Sequence, residues 1–382
     1  MAGGHRGAAG AAPLPALAVG GGWEPHHPVD FLRLSIRHPG HPRRLPGGPG
    51  GSGRRWRDVS VRKRLAGFLI GLLGLTACRS PELWTIGLVA PFEGRDRAIG
   101  YDLIFGARLA IREWNARHPE GPWAMLLALD DGGDPERARE RARQITAVPG
   151  LIAVIGHFRP ETTRAAAPVY REAGVLWIAP LLPADRVPAG AMATAVDTST
   201  MVEALMGSLP QASRSRFWMV RDGEEQWFGP EAVAVIRARG WRVVEARWTE
   251  ADPWGEEPVL FDGRAVHAGE AARRWRQAGW RGLLLGGPGL LHPDLQVLIP
   301  GDPGIRVVAE TRRVDDPGWV AAYRALSLGT PPGPYAALGY DLVWALLQAH
   351  GSPSFRWEGR TGIWEGGGGQ LRKVPALWVN VP

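Results

Sequence analysis

The feature that most constrains this chain is an alternation of short apolar runs with helical patterns, sustained from Thr85 to Ala309. Thr85–Ala90, Trp123–Leu129, Leu151–Ile155 and Val175–Ala179 read as strands with no polar alternation, so both of their faces are expected to be covered. Between them, Leu103, Ala107, Ala110, Ile111 and Trp114 recur at helical spacing, and further helices are predicted over 135–147 and 161–173. Asp134 before Pro135 supplies an N-cap followed by a residue suited to the first helical position. A second series follows, with strands predicted at 217–220, 242–246, 259–261, 283–285 and 305–309 and helices at 201–209, 229–238, 270–277, 319–326 and 335–349. Strand–helix–strand units of this length make parallel sheets with helices on both faces. The expected architecture is therefore α/β: two doubly wound lobes with a cleft between them. Ligands of such sheets sit outside the carboxyl ends of the strands.

A different pattern precedes this region. Arg62-Lys63-Arg64, an apolar run from Leu65 to Ala77 and then Cys78 have the layout of a secretory signal. The run is shorter than the roughly 20 residues that span a bilayer. Leu75-Thr76-Ala77-Cys78 resembles the bacterial lipobox, where cleavage before the cysteine is followed by its lipidation. Residues 61–77 are thus expected to be a lipoprotein signal, and Cys78 the lipidated first residue of an exported chain. That chain would be anchored on the outer side of the cytoplasmic membrane or elsewhere in the cell envelope. Residues 1–60 are dense in Gly, Pro, Ala, Arg and His and carry no period of 2 or 3.6. They read as a disordered extension or as sequence upstream of a start at Val61.

Charge divides at the same place. Of the 45 basic and 38 acidic residues, 11 and 3 fall before Cys78, which leaves 34 and 35 after it. The formal net charge of +7 therefore belongs to the leader, and a near-neutral mature chain argues against a nucleic-acid footprint. Cys78 is the only cysteine, so no disulfide is available, and the only lysines are Lys63 and Lys373. Neither a Gly-x-Ser-x-Gly elbow nor a His-Glu-x-x-His pair occurs, and no enzyme chemistry or cofactor is expected. Asp130, Asp131 and Asp134 are explained by turn formation and capping before metal binding. His157 reads as a structural residue at a strand end, and Gly286–Gly289 as a turn.

The segments Ile86–Gly94, Gly100 and Gly106–Ala110 resemble the opening of type I periplasmic binding proteins of the leucine/isoleucine/valine-binding class. The likeness continues through Asp130-Asp131 with Asp134-Pro135, Ala153–His157, Pro168–Tyr170 and Glu172–Val175, and returns at Pro334–Ala337, Tyr340-Asp341 and Thr361–Ile363. The resemblance implies two lobes joined by three crossovers, with an N-terminal lobe at about 82–198 plus 309–351 and a C-terminal lobe at 199–308 plus 352–382. It also implies a monomeric solute receptor that closes on a small ligand by a hinge motion and serves the membrane permease of an ABC importer.

The positions that hold an amino acid in that family differ here. The hydroxyls that grip the ligand carboxylate fall at Pro160 and Pro183, with Leu181 and Leu182 ahead of the second. The acid that grips the ammonium falls at Pro288, and a Tyr before Gly appears as Phe228. A zwitterion shut in a cleft without such partners is costly. The expected ligand is therefore less polar than an amino acid, with Ile99, Phe158, Leu181, Leu182, Trp227 and Phe228 as apolar contacts and Arg159 and Glu161 orienting one polar group. The alternative expectation is a sensor or scaffold of the same fold that no longer transports.

Overall fold

A computed structural model describes residues 82–209 and 216–380, all within the compact unit Thr76–Pro382. The signal-like stretch, Cys78 and residues 1–60 lie outside the described residues. Five parallel strands form the first sheet: β1 (Leu83–Ala90), β2 (Trp123–Asp130), β3 (Leu151–Ile155), β4 (Trp177–Ala179) and β5 (Ala191–Ala193), in the order β2-β1-β3-β4-β5. Helix α1 (Arg97–Arg117) lies on one face, and α2 (Pro135–Thr146) and α3 (Pro160–Ala173) pack together on the other. Strand β1 shows why its run is continuously apolar. Ile86, Leu88 and Ala90 face the α1 side, while Val89 packs with Ala142, Ile145 and Ala166. Local signals set the helix ends: Asp134 accepts from Arg137 N at 2.8 Å before Pro135, and Gly174 closes α3 in the left-handed conformation (φ 64°).

The second sheet contains β6 (Arg216–Arg221), β7 (Arg242–Arg247), β8 (Val259–Asp262), β9 (Leu284–Gly286) and β10 (Ile305–Ala309). They are parallel and flanked by α4 (Thr198–Gly207), α5 (Glu231–Ala238), α6 (Ala265–Gln277) and α7 (Pro293–Leu298). The chain then returns to the first lobe. Helix α8 (Pro317–Leu326) and helix α9 (Ala336–Gly351) both pack on α1. Close approach of α1 and α9 depends on glycine: a Cβ on Gly106 would lie 2.0 Å from Ala336 O, and one on Gly339 would lie 2.4 Å from Leu103 O. Four fully buried tryptophans, Trp177, Trp275, Trp280 and Trp364, anchor the cores. Trp275 Nε1 donates to Ala251 O (2.8 Å) and Trp280 Nε1 to Glu257 O (2.7 Å), which settles the polar edge of each ring.

The doubly wound α/β class expected from the sequence is borne out, with two differences in detail. The stretch 352–382 was placed as a whole in the C-terminal lobe. Instead β11 (Phe355–Glu358), β12 (Gly362–Gly367) and β13 (Gln370–Pro375) form a separate antiparallel sheet against α9, and only β14 (Trp378–Asn380) joins the second sheet, antiparallel to β10. Buried Trp364 draws that sheet onto α9. Gly286–Gly289 was read as a turn, whereas Pro288–Leu291 is a 3-10 segment running into α7.

Candidate functional site

The carboxyl-end loops of both sheets meet, and Arg159 stands between them. It follows β3 and is 5% exposed. Four of the five N–H groups of its guanidinium are engaged. Nη1 donates to Asp96 Oδ2 (3.0 Å) and Gly133 O (3.2 Å), Nη2 to Glu161 Oε1 (2.5 Å), and Nε to Glu225 Oε1. Asp96 and Glu161 belong to the first lobe. Glu225 belongs to the β6–α5 loop of the second, so the pair with Arg159 ties the lobes together. Glu225 Oε2 accepts from Trp227 Nε1 at 3.3 Å. Nearby, Arg95 Nε lies 3.6 Å from Asp294 Oδ2, and His292 Nε2 lies 3.2 Å from Arg95 O.

These side chains leave a gap of about 20 Å³, bounded by Ile99, Arg159, Glu225, Trp227 and His292 among others. That is room for one water, not for an amino acid. Three carboxylates face one guanidinium. Burial opposes the Arg159 cation, but Glu225, Glu161 and Asp96 outweigh it and raise its pKa. Burial pushes Glu225 up to about 7, with Arg159 pulling it back and Glu161 adding to the rise.

Of the residues expected in the cleft, Ile99, Arg159 and Trp227 border this gap, and Glu161 binds Arg159. The others are packed away from it. Phe158 is fully buried in the core, and Pro160 is the first residue of α3. Leu181 takes φ 72°, and its N–H donates to Glu310 Oε1 at 2.7 Å, which turns the Leu181-Leu182-Pro183 loop inward. Phe228 and Trp227 donate their backbone N–H groups to Asp262 Oδ1 (3.2 and 2.7 Å). Pro288 contributes its carbonyl, which accepts from Tyr335 Oη at 2.9 Å.

Sequence reasoning missed Asp96 and Glu225. The available signal was a basic residue in one strand-end loop and acids in two others. The remaining candidates are structural. His157 Nδ1 lies 2.5 Å from Asp131 Oδ2 and Nε2 lies 3.1 Å from Tyr170 Oη, all buried. Asp130 Oδ1 accepts from Phe92, Glu93 and Gly132 N.

Asp262 makes the site pH-sensitive. Its Oδ2 has no hydrogen-bond partner, and burial pushes it up to about 7 from 3.8, against the two N–H donors. Asp262 and Glu225 both hold a proton more tightly folded than unfolded. The contribution of these two groups to stability is therefore greatest below about pH 4, falls as pH rises, and is lost above about pH 7. Asp262→Asn keeps an oxygen for the two N–H groups and cannot ionise. Relative to the wild type it is expected to gain about 1–3 kcal/mol between pH 5 and pH 8. Urea denaturation of both proteins at the two pH values checks this, and a difference between them that does not change with pH would refute it.

Residues 84–252 match the periplasmic binding protein family. An amino acid binding protein of Pseudomonas aeruginosa is 33% identical over 96 residues, 25% of this chain and 26% of that protein, so the match spans about a quarter of its relative. Among solved structures, a branched-chain amino acid transporter substrate-binding protein from Streptococcus pneumoniae, in complex with isoleucine, superposes with a TM-score of 0.61 at 18% identity, covering 79% of this chain and all of that one. A solute-binding protein from R. palustris in complex with 4-hydroxybenzoate gives 0.55 at 15% identity, covering 78% and 92%. The family resemblance read from the sequence is borne out. The chain carries the periplasmic binding protein pattern over 84–252 and has the type I fold of ABC transporter substrate-binding proteins. No helix among the described residues is long and apolar enough to cross a membrane.

Proposed function

We propose that this protein is an extracytoplasmic receptor, monomeric and lipid-anchored through Cys78, that delivers a small solute to the membrane permease of an ABC importer. We further propose that the solute is not a standard branched-chain amino acid. The family match and fold support the receptor role. The observation that carries the ligand statement is the Arg159 cluster, which fills the space between the lobes with the chain's own charges and engages four of the five N–H donors of the guanidinium. Ile99, Arg159, Glu161 and Trp227 are the proposed contacts. Solved proteins of this fold hold isoleucine in one case and 4-hydroxybenzoate in another, which supports a fold open to ligands outside the amino acids.

The 20 Å³ gap also favours a second reading, a scaffold whose lobes are held by Arg159 and Glu225 in place of a ligand. A thermal-shift screen against amino acids, sugars, amides, nucleosides and aromatic acids separates the two. A receptor at about 100 times its Kd gains roughly 2.7 kcal/mol, a rise of several degrees for at least one class. A flat screen would leave only the scaffold.

A further inference from the structure

A second cavity, of about 490 Å³, borders α1 at Ala98, Tyr101, Asp102 and Phe105, whereas the gap at the Arg159 cluster borders it at Ile99. Its volume falls within the roughly 300–1,000 Å³ of small-molecule sites. Its walls are aromatic and aliphatic. Tyr101, Phe105 and Tyr323 form a chain, with ring centroids 6.5 Å apart for the stacked first pair and 6.1 Å apart for the edge-to-face second. Leu328, 97% exposed, and Leu291 complete them. Leu291 belongs to the second lobe and the others to the first, so the cavity is complete only with the lobes together.

Its polar groups are unequal. Asp102, at the floor, is spent: Oδ1 accepts from Gly333 N (2.7 Å) and Tyr323 Oη (3.0 Å), and Oδ2 from Tyr335 N (2.6 Å). Arg313, at the rim, is exposed and takes part in no ion pair or hydrogen bond among the described residues. It is the one cation lining the cavity. Aromatic walls call for an apolar ring or chain, and an unpaired guanidinium calls for a carboxylate, which it binds in a two-pronged geometry.

We propose that this cavity is a binding site, separate from the cleft, for a small apolar carboxylate whose body packs on Tyr101, Phe105 and Tyr323 and whose anion pairs with Arg313. Because Leu291 closes it from the second lobe, an occupant contacts both lobes and favours their closed arrangement.

The probe is 2-naphthoate, titrated calorimetrically into the full chain, with neutral 2-naphthamide alongside it. The expected result is saturable binding of one naphthoate per chain. Binding should be at least tenfold weaker for the amide and for Arg313→Gln, and weakened in Ala98→Phe, which narrows the cavity from α1. Arg313 is exposed and Ala98 half-buried, so neither change disturbs a core, and the amide tests the charge with no variant at all. Hydrogen exchange should show protection at both 98–105 and 290–293. The proposal is overturned if the wild type does not bind naphthoate, or binds acid and amide equally. It is also overturned if Ala98→Phe leaves binding intact, or if protection falls at 158–161 and 225–228 instead.

Discussion

Lys373→Met is expected to destabilise the fold by about 3–5 kcal/mol, the cost of leaving one member of a buried ion pair alone. Lys373, the only lysine after Cys78, sits on β13 with its side chain fully buried, and Nζ donates to Glu310 Oε2 at 2.6 Å. The other oxygen of Glu310 accepts from Leu181 N (2.7 Å) and Thr194 Oγ1 (2.6 Å). One carboxylate thus joins the ends of β4, β5 and β10 to the C-terminal sheet, where the chain crosses between lobes. With the ammonium gone, the carboxylate must stay charged without a partner or take up a proton. The double variant Lys373→Met with Glu310→Gln keeps an acceptor for Leu181 and Thr194 and removes the charge. It should recover to within about 1–2 kcal/mol of the wild type. Chemical denaturation of the three proteins measures both steps. A single-variant cost below about 1 kcal/mol would show that the pair contributes little.

Much of the fold was legible because the local signals agree with the tertiary result. β3 and β10 span the predicted residues, and Pro135 and Pro317 start α2 and α8 behind capping aspartates. Strand β5 was not legible. Ala191–Ala193 has no pattern of its own and is a strand only because it pairs with Trp177–Ala179. The fate of 355–375 was hidden for a similar reason. The alternation from Arg360 to Val381 reads as antiparallel edge strands around the turn Gly366–Gly369 whichever lobe it joins, and burial of Trp364 on α9 decides where the sheet goes. At the site, the sequence identified Arg159 and Trp227 by their place after strand ends. It did not show that Glu225, 66 positions from Arg159, reaches it from the other lobe, because such a pairing exists only in three dimensions. The lone lysine was noticed but not interpreted. In a chain that otherwise uses arginine, that exception marked a cation held in a fully buried pair.

Leucine, isoleucine and valine are expected not to bind with receptor-like affinity. Where the family resemblance puts hydroxyls for the ligand carboxylate this chain has Pro160 and Pro183, Pro160 also lacks an N–H at the first position of α3, and where the resemblance puts an acid for the ammonium the chain has Pro288. Each lost hydrogen bond to a charged group is worth about 1.5–3 kcal/mol. Three such losses come to roughly 4.5–9 kcal/mol, or about three to six decades in Kd. The geometry adds a further obstacle. The space is about 20 Å³, and the ligand would have to separate Arg159 from Glu225 and leave both charges in want of partners. Calorimetric titration of the purified protein with leucine, isoleucine and valine is the most direct test of the proposal that its own Arg159 cluster takes the place of the amino-acid site. The expected result is no saturable heat for any of the three below about millimolar concentration. Submicromolar binding of any one of them would contradict the account.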